Sequence, residues 1–257
     1  SLVFASGSFA LVGVAAPSKN FATSADGITW TLQADSPFGG SVVNQLAHTG
    51  SAWVGFSGYS AVKSAALASG WTATFPADAH VRQFTVGGKL LALPFFNGPG
   101  NASRWAWHST DGATWAAFML PDAPYGSGYL RVGLDGAARF VSSSGTLLYS
   151  STDGTTWTSE AFKCPHASPT AVYTPIKVNG AWLIGGYAGT GGPYLQFTAA
   201  QPAGPWAARL SQVQARDTWA GADGGPVALF GGDWFASTQA NGGRITKLDL
   251  TAEGMFA

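Results

Sequence analysis

A seven-residue motif that recurs along the chain constrains its fold more than any other feature. The motif reads Ser-x-Asp-Gly-x-Thr-Trp, and two degenerate copies keep the tryptophan at Trp71 and Trp206. The tryptophans at 30, 71, 115, 157 and 206 follow one another at intervals of 41 to 49 residues. Internal repetition of this length indicates an array of like structural units. The three close copies are Ser24–Trp30, Ser109–Trp115 and Ser151–Trp157.

The residues around each motif read as four short strands separated by Gly-rich turns. No unit has apolar residues at helical spacing. Four strands in each unit of about 43 residues are typical of a β-propeller blade. We therefore predict an all-β chain, a six-bladed β-propeller of four-stranded antiparallel blades, with six blades favoured over five or seven. As a single domain over 1–257, its blades are expected near 1–36, 37–78, 79–122, 123–165, 166–212 and 213–257.

Strand bounds follow from the same pattern in the better-conserved units. In the first unit we predict strands over Leu2–Ala5, Phe9–Ala15, Asn20–Ser24 and Thr29–Gln33. The third unit begins with a predicted strand over Val81–Val86. The fourth unit begins with one over Tyr129–Leu134.

The charge of the chain excludes several classes of partner. Charged residues make up 10% of the 257 residues, and 13 Lys+Arg balance 13 Asp+Glu. Nucleic acids and acidic membrane surfaces bind basic patches, which this composition does not supply. No run approaches the roughly 20 apolar residues of a spanning helix. We expect no nucleic-acid partner and no membrane insertion.

Each repeated motif has a mechanical interpretation as a closed turn. The aspartate can accept backbone N–H bonds across the loop, and glycine takes the positive φ of a tight turn. The serine and threonine close the turn locally, and the tryptophan is expected to pack between neighbouring blades. The residues assigned this structural role are Ser24, Asp26, Gly27, Trp30, Ser109, Asp111, Gly112, Trp115, Ser151, Asp153, Gly154 and Trp157.

The three motifs resemble Asp boxes, the BNR repeats of sialidase-like β-propellers. They are a shortened variant, because Asp and Gly are adjacent here, whereas the usual box has one residue between them. The resemblance implies a sialidase-like fold. In that family the boxes lie on the rim opposite the active site, so they imply no catalysis, and the chain is predicted to be a non-catalytic member.

A candidate ligand site lies where the innermost strands begin, at the predicted mouth of the central channel. Alignment of the units places five residues there: Arg82, Arg131, Tyr173, Arg216 and Asp217. Arginine forks bind carboxylates in a bidentate manner, so a divergent sialidase-like glycoside hydrolase could use these groups. The alternative is that they bond to backbone carbonyls or water in a polar channel.

The carboxylates argue against that enzyme. A sialidase-like reaction would need a glutamate beside a tyrosine nucleophile, here Tyr173. The chain has two glutamates, Glu160 on a predicted outermost strand and Glu253 near the C-terminus, and neither is expected near Tyr173. Four histidines lack metal-ligand spacing, and Cys164 is the single cysteine, so no metal site and no cofactor are predicted. The catalytic set is therefore predicted to be empty.

The remaining class is a binding or structural module. Trp105 and Trp107 share one face of a strand, and we expect both to pack in the core, while Tyr- and Gly-rich loops are candidate glycan contacts. The low charge and short repeats favour an extracellular or virion protein, such as a bacteriophage tail-fibre, spike or baseplate-associated propeller. Its expected partner is a glycan or protein receptor, or another virion protein. A secreted bacterial lectin or cell-surface propeller is the alternative.

Overall fold

The computed structural model describes a part of the chain that includes most of the predicted strands. Statements below concern residues 2–12, 21–32, 38, 43, 45–56, 61–67, 69–74, 81–94, 104–124, 130–133, 135–165, 174–178, 180–187, 194–210, 227–230, 233–237 and 245–248. The side chains of 81–83, 94, 176, 178, 183, 185–198, 208–210 and everything after 210 are not described. Within these ranges the regular elements are all β-strands.

The first compact unit holds three four-stranded sheets together with the loop 153–156. Each sheet is an antiparallel meander in which consecutive strands pair. The first sheet comprises β1 (Leu2–Ala5), β2 (Ser8–Val12), β3 (Phe21–Ser24) and β4 (Thr31–Leu32). The second comprises β5 (Gln45–His48), β6 (Trp53–Phe56), β7 (Ala61–Ser64) and β8 (Thr72–Ala73). The third comprises β9 (Val81–Val86), β10 (Lys89–Pro94), β11 (Trp105–Ser109) and β12 (Ala116–Met119).

The second compact unit repeats the same meander. The fourth sheet comprises β13 (Arg131–Val132), β14 (Ala138–Val141), β15 (Leu147–Ser151) and β16 (Thr158–Ala161). The fifth comprises β17 (Ile176–Val178), β18 (Ala181–Tyr187), β19 (Tyr194–Ala199) and β20 (Ala207–Leu210). The sixth has three strands among the described residues, β21 (Val227–Phe230), β22 (Asp233–Ser237) and β23 (Ile245–Leu248).

The prediction of an all-β chain built from four-stranded antiparallel sheets is confirmed in the described ranges. The predicted bounds of β1 and β9 match those observed. The strand predicted over Tyr129–Leu134 is shorter, because β13 pairs with β14 over two residues only and Gly133 then opens the turn. Predicted blade boundaries remain predictions.

Apolar side chains between neighbouring sheets of one unit form the core. Between the first and second sheets, Phe38 packs edge-on against both Phe21 and Trp71, at centroid distances of 5.3 and 4.7 Å. A second cluster joins the second and third sheets, and a third cluster joins the fourth and fifth. Each sheet contributes alternate residues to such a cluster, as the period-two pattern of a strand requires.

Not every apolar side chain is covered. The first sheet exposes six large apolar side chains on its surface: Leu2, Phe4, Leu11, Ile28, Trp30 and Leu32. In the described ranges, no helix has the length and apolar character required to cross a membrane.

Candidate functional site

The first two copies of the repeated motif, called boxes below, are closed by the same set of local hydrogen bonds. In the first box, Asp26 Oδ1 accepts the backbone N–H groups of Ile28 and Thr29 at 2.8 and 2.7 Å. The hydroxyl of Ser24 donates to the same carboxylate at 2.9 Å and accepts the N–H of Gly27 at 2.8 Å. The second box repeats this arrangement within 0.1 Å through Ser109, Asp111, Gly112, Ala113 and Thr114. The predicted turn mechanism is confirmed.

The third box adds side-chain donors from its two threonines. Asp153 Oδ1 accepts the N–H groups of Thr155 and Thr156 at 2.8 and 2.6 Å. Its Oδ2 accepts both threonine hydroxyls, at 3.1 and 3.0 Å. Lys89, the first residue of β10, donates to Thr155 Oγ1 at 3.0 Å and lies 3.9 Å from Asp153 Oδ2. A lysine of the third sheet therefore contacts the loop 153–156, which lies in the same compact unit.

The glycines of the second and third boxes pack against β6 of the second sheet and β10 of the third sheet. Gly112 has φ 71°, and a Cβ placed there would overlap Val54 on β6. Gly154 has φ 79°, and its Cβ would lie 2.8 Å from Leu91 Cδ2 on β10. Both positions need glycine for two reasons: the backbone is left-handed, and the neighbouring side chain leaves no room for a Cβ.

The box tryptophans do not all pack in the same way. Trp115 lies edge-on to Phe56 of the preceding sheet, at 5.6 Å, as expected for packing between blades. Trp157 instead lies 5.1 Å from Phe140 of its own sheet. The Trp30 ring is 6.4 Å from Phe9, also of its own sheet, and its side chain is exposed.

Hydrogen bonding lowers the pKa of the carboxylates in the first two boxes. The N–H groups of Thr114 and then Ala113 lower the pKa of Asp111 to about 2. The corresponding donors, Thr29 and then Ile28, hold the pKa of Asp26 well below its ordinary range. Carboxylates with such low pKa values cannot serve as general acids near neutral pH.

Two buried arginines lie on the first hairpin of the fourth sheet. Arg131 on β13 and Arg139 on β14 are directly opposite in the antiparallel register, and they are 4% and 6% exposed. Arg139 donates from Nη1 and Nη2 to the two carboxylate oxygens of Asp135, at 2.8 and 2.6 Å. Its guanidinium also lies 4.8 Å from the centroid of the Trp182 ring.

The structure describes two of the five predicted channel-mouth residues. Arg131 is buried on β13, and Arg82 lies on β9 with its backbone opposite Leu93, its side chain being undescribed. Tyr173, Arg216 and Asp217 lie outside the described residues. The sequence reasoning did not select Arg139, although a carboxylate four residues earlier across a Gly turn was the signal for a paired arginine.

The expectation that Trp105 packs in the core is wrong. Trp107 is half-buried and packs against the cluster between the second and third sheets. Trp105 lies on the same face but at the first residue of β11, and 52% of it is exposed. Its cross-strand neighbour is Met119, which is 50% exposed.

A Ser–His contact in the first unit has the wrong hydrogen-bond direction for catalysis, because the histidine donates to the serine and does not accept its proton. Ser6 Oγ is 3.2 Å from His48 Nε2, and the N–H of Gly50 donates to His48 Nδ1 at 3.1 Å. Because Nδ1 accepts, the neutral ring carries its proton on Nε2 and donates to Ser6. Among the described residues, no group of three or more His, Cys, Asp or Glu stands together to hold a metal ion.

Comparison with known proteins identifies the fold through structure alone. No protein-family model matches the chain, and no curated protein sequence matches it. A solved structure of YCF48 bound to a D1 peptide is 13% identical with a TM-score of 0.64, covering 98% of this chain and 78% of that chain. Virginiamycin B lyase from Staphylococcus aureus is 12% identical with a TM-score of 0.58, covering 96% and 82%. An ancestral GH74 enzyme is 10% identical with a TM-score of 0.58, covering 98% and 36%.

These similar structures are propellers with unrelated activities. At such low identity they support a β-propeller fold for this chain and carry no function to it.

Proposed function

We propose that this chain is a non-catalytic binding or structural module of an extracellular or virion protein, and that it docks on a glycan or a partner protein. The biological setting we favour is a bacteriophage tail fibre, spike or baseplate, on the strength of the low charge and the short Asp boxes. A secreted bacterial lectin or cell-surface propeller is the alternative setting.

The use of the aspartates in turns carries the proposal. Five aspartates have described side chains, and each accepts hydrogen bonds from its own turn or an adjacent one: Asp26, Asp111, Asp122, Asp135 and Asp153. A glycosidase needs two carboxylates facing a sugar across a gap. Carboxylates that close turns suit a scaffold better than that chemistry.

The propeller is proposed to have six blades. Six sheets occur in the described ranges, and the motif anchors repeat at matching intervals in the sequence. A high-resolution experimental structure that showed five or seven sheets in the ring would contradict this count.

A divergent sialidase-like hydrolase is the second candidate, favoured by one observation. Arg131 is buried on β13, and an arginine fork is suited to binding the carboxylate of a substrate. The carboxylate pair that the reaction needs would have to come from residues outside the described ranges.

Two measurements separate these functions. The intact chain is applied to a glycan array, and the same preparation is incubated with a fluorogenic sialoside. The binding module predicts glycan binding or a co-purifying virion protein, with no release of fluorophore. Turnover that disappears in Arg131→Ala, with circular dichroism unchanged, would establish the hydrolase instead.

A further inference from the structure

The exposed pair of Trp105 and Met119 occupies a repeat position that the fold fills with smaller residues elsewhere. In the third sheet, Trp105 and Met119 are directly opposite, four residues before Ser109 and four after Trp115. In the fourth sheet the same register holds Leu147 opposite Ala161. Since leucine and alanine satisfy this position, the blade does not require a tryptophan and a methionine there.

The exposure of the pair is also unusual for the third sheet. The next residue on the same face, Trp107, packs against the core cluster, while Trp105 and Met119 are each about half exposed. Among the described residues outside the first sheet, they are the only large apolar side chains that are exposed. An aromatic ring and a polarisable thioether side by side make a flat, uncharged surface.

The area of this surface indicates which kind of ligand it can bind. A specific protein interface buries about 800 Å² per partner. An aromatic side chain buries about 150–250 Å², so two half-exposed side chains fall far short of that area. They match the face of one sugar ring, whose C–H groups stack on aromatic rings.

Arg104 supplies hydrogen-bond donors at the end of the same strand pair. Arg104 precedes Trp105, and its backbone carbonyl accepts the N–H of Leu120, which follows Met119. Its Nε donates to the Leu120 carbonyl at 2.9 Å, which orients the exposed guanidinium. The Nη groups are further donors for sugar hydroxyls.

We propose that Trp105 and Met119 form a carbohydrate-stacking platform that binds one pyranose ring through its apolar face, with Arg104 at its edge. The platform rests on the proposed function, since it names the surface through which the module binds a glycan.

The test replaces each residue of the pair with the residue found at the same position of the fourth sheet. Trp105→Leu and Met119→Ala place in the third sheet the residues that the fourth sheet carries, so both variants are expected to fold. Phe4→Leu removes another exposed aromatic ring, on the first sheet, and is the matched control. Each protein is applied to a glycan array, and the oligosaccharide bound best by the wild type is titrated by calorimetry.

The expected result is that Trp105→Leu weakens binding about tenfold or more, Met119→Ala weakens it less, and Phe4→Leu leaves it unchanged. Thermal midpoints should stay close to that of the wild type. Equal binding by wild type and Trp105→Leu would overturn the platform and leave the glycan-binding function standing. A wild type that binds no glycan would overturn the platform and the glycan-binding form of the proposed function, but not docking on a partner protein.

Discussion

Arg139 holds Asp135 through two parallel hydrogen bonds, from Nη1 to Oδ1 at 2.8 Å and from Nη2 to Oδ2 at 2.6 Å. The pair closes the turn between β13 and β14. The guanidinium side of the pair is buried and the carboxylate is 35% exposed. Stacking of Arg139 against Trp182 on β18 links this turn to the next sheet of the same unit.

Asp135→Asn is expected to destabilise the fold by about 3 kcal/mol, at the low end for buried pairs because the carboxylate is partly solvated. Arg139→Lys should cost a similar amount, since an ammonium cannot make the bidentate contact. Urea unfolding measures both. Lys89→Ala is the control, because the Lys89–Asp153 pair is more exposed and should contribute no more than about 1 kcal/mol.

Gly112→Ala tests the packing of the second repeated motif on the preceding sheet. The substitution strains a left-handed backbone and drives a methyl group into Val54, so we expect a loss of about 3 kcal/mol. Gly88→Ala has nearly the same φ with nothing near the added methyl, and should cost only about 1 kcal/mol. Equal losses in the two variants would contradict the packing argument.

A double variant sharpens this comparison. Val54→Ala removes the side chain that the new methyl group meets. Gly112→Ala combined with Val54→Ala should therefore be less destabilised than the sum of the two single losses. Additive losses would show that the two residues do not press on each other.

The box carboxylates predict a loss of stability in acid. Asp111 has a pKa lowered from 3.8 to about 2 by the N–H groups of Thr114 and Ala113. A carboxyl whose pKa is lower in the folded state stabilises the fold above its unfolded pKa, and that contribution is lost as the pH falls from about 4 through about 2. Urea unfolding of the wild type and Asp111→Asn should differ at pH 5 and converge near pH 2. A difference that does not change with pH would exclude this origin.

The parts of the structure that could be predicted from sequence are the local ones. Asp26 binds N–H groups two and three residues away, so its motif contains the whole turn. The contact of Gly112 with Val54 joins residues of different sheets, and no spacing in the motif names that partner. The register that sets Arg131 opposite Arg139 depends on the turn that begins at Gly133. Because of this turn, β13 is shorter than the strand predicted from the sequence.

The candidate site was less predictable because exposure depends on where neighbouring strands end. Alternation places Trp105 and Trp107 on one face, and it predicted one environment for both. The structure separates them, since only Trp107 packs against the core cluster.

His48 provides a prediction near physiological pH. Burial lowers the pKa of this imidazole from 6.5, and its ring accepts the Gly50 N–H and contacts Ser6 and the Trp53 ring. Protonation turns Nδ1 into a donor, which opposes the Gly50 N–H. The neutral ring therefore stabilises the fold at pH values above the unfolded pKa, and this contribution is lost as the pH falls through the folded pKa. NMR titration of the His48 ring protons should give a pKa below 6.5, with the Gly50 amide shifting in the same transition. A His48 pKa at or above 6.5, or a Gly50 amide that does not respond, would contradict the acceptor role of Nδ1.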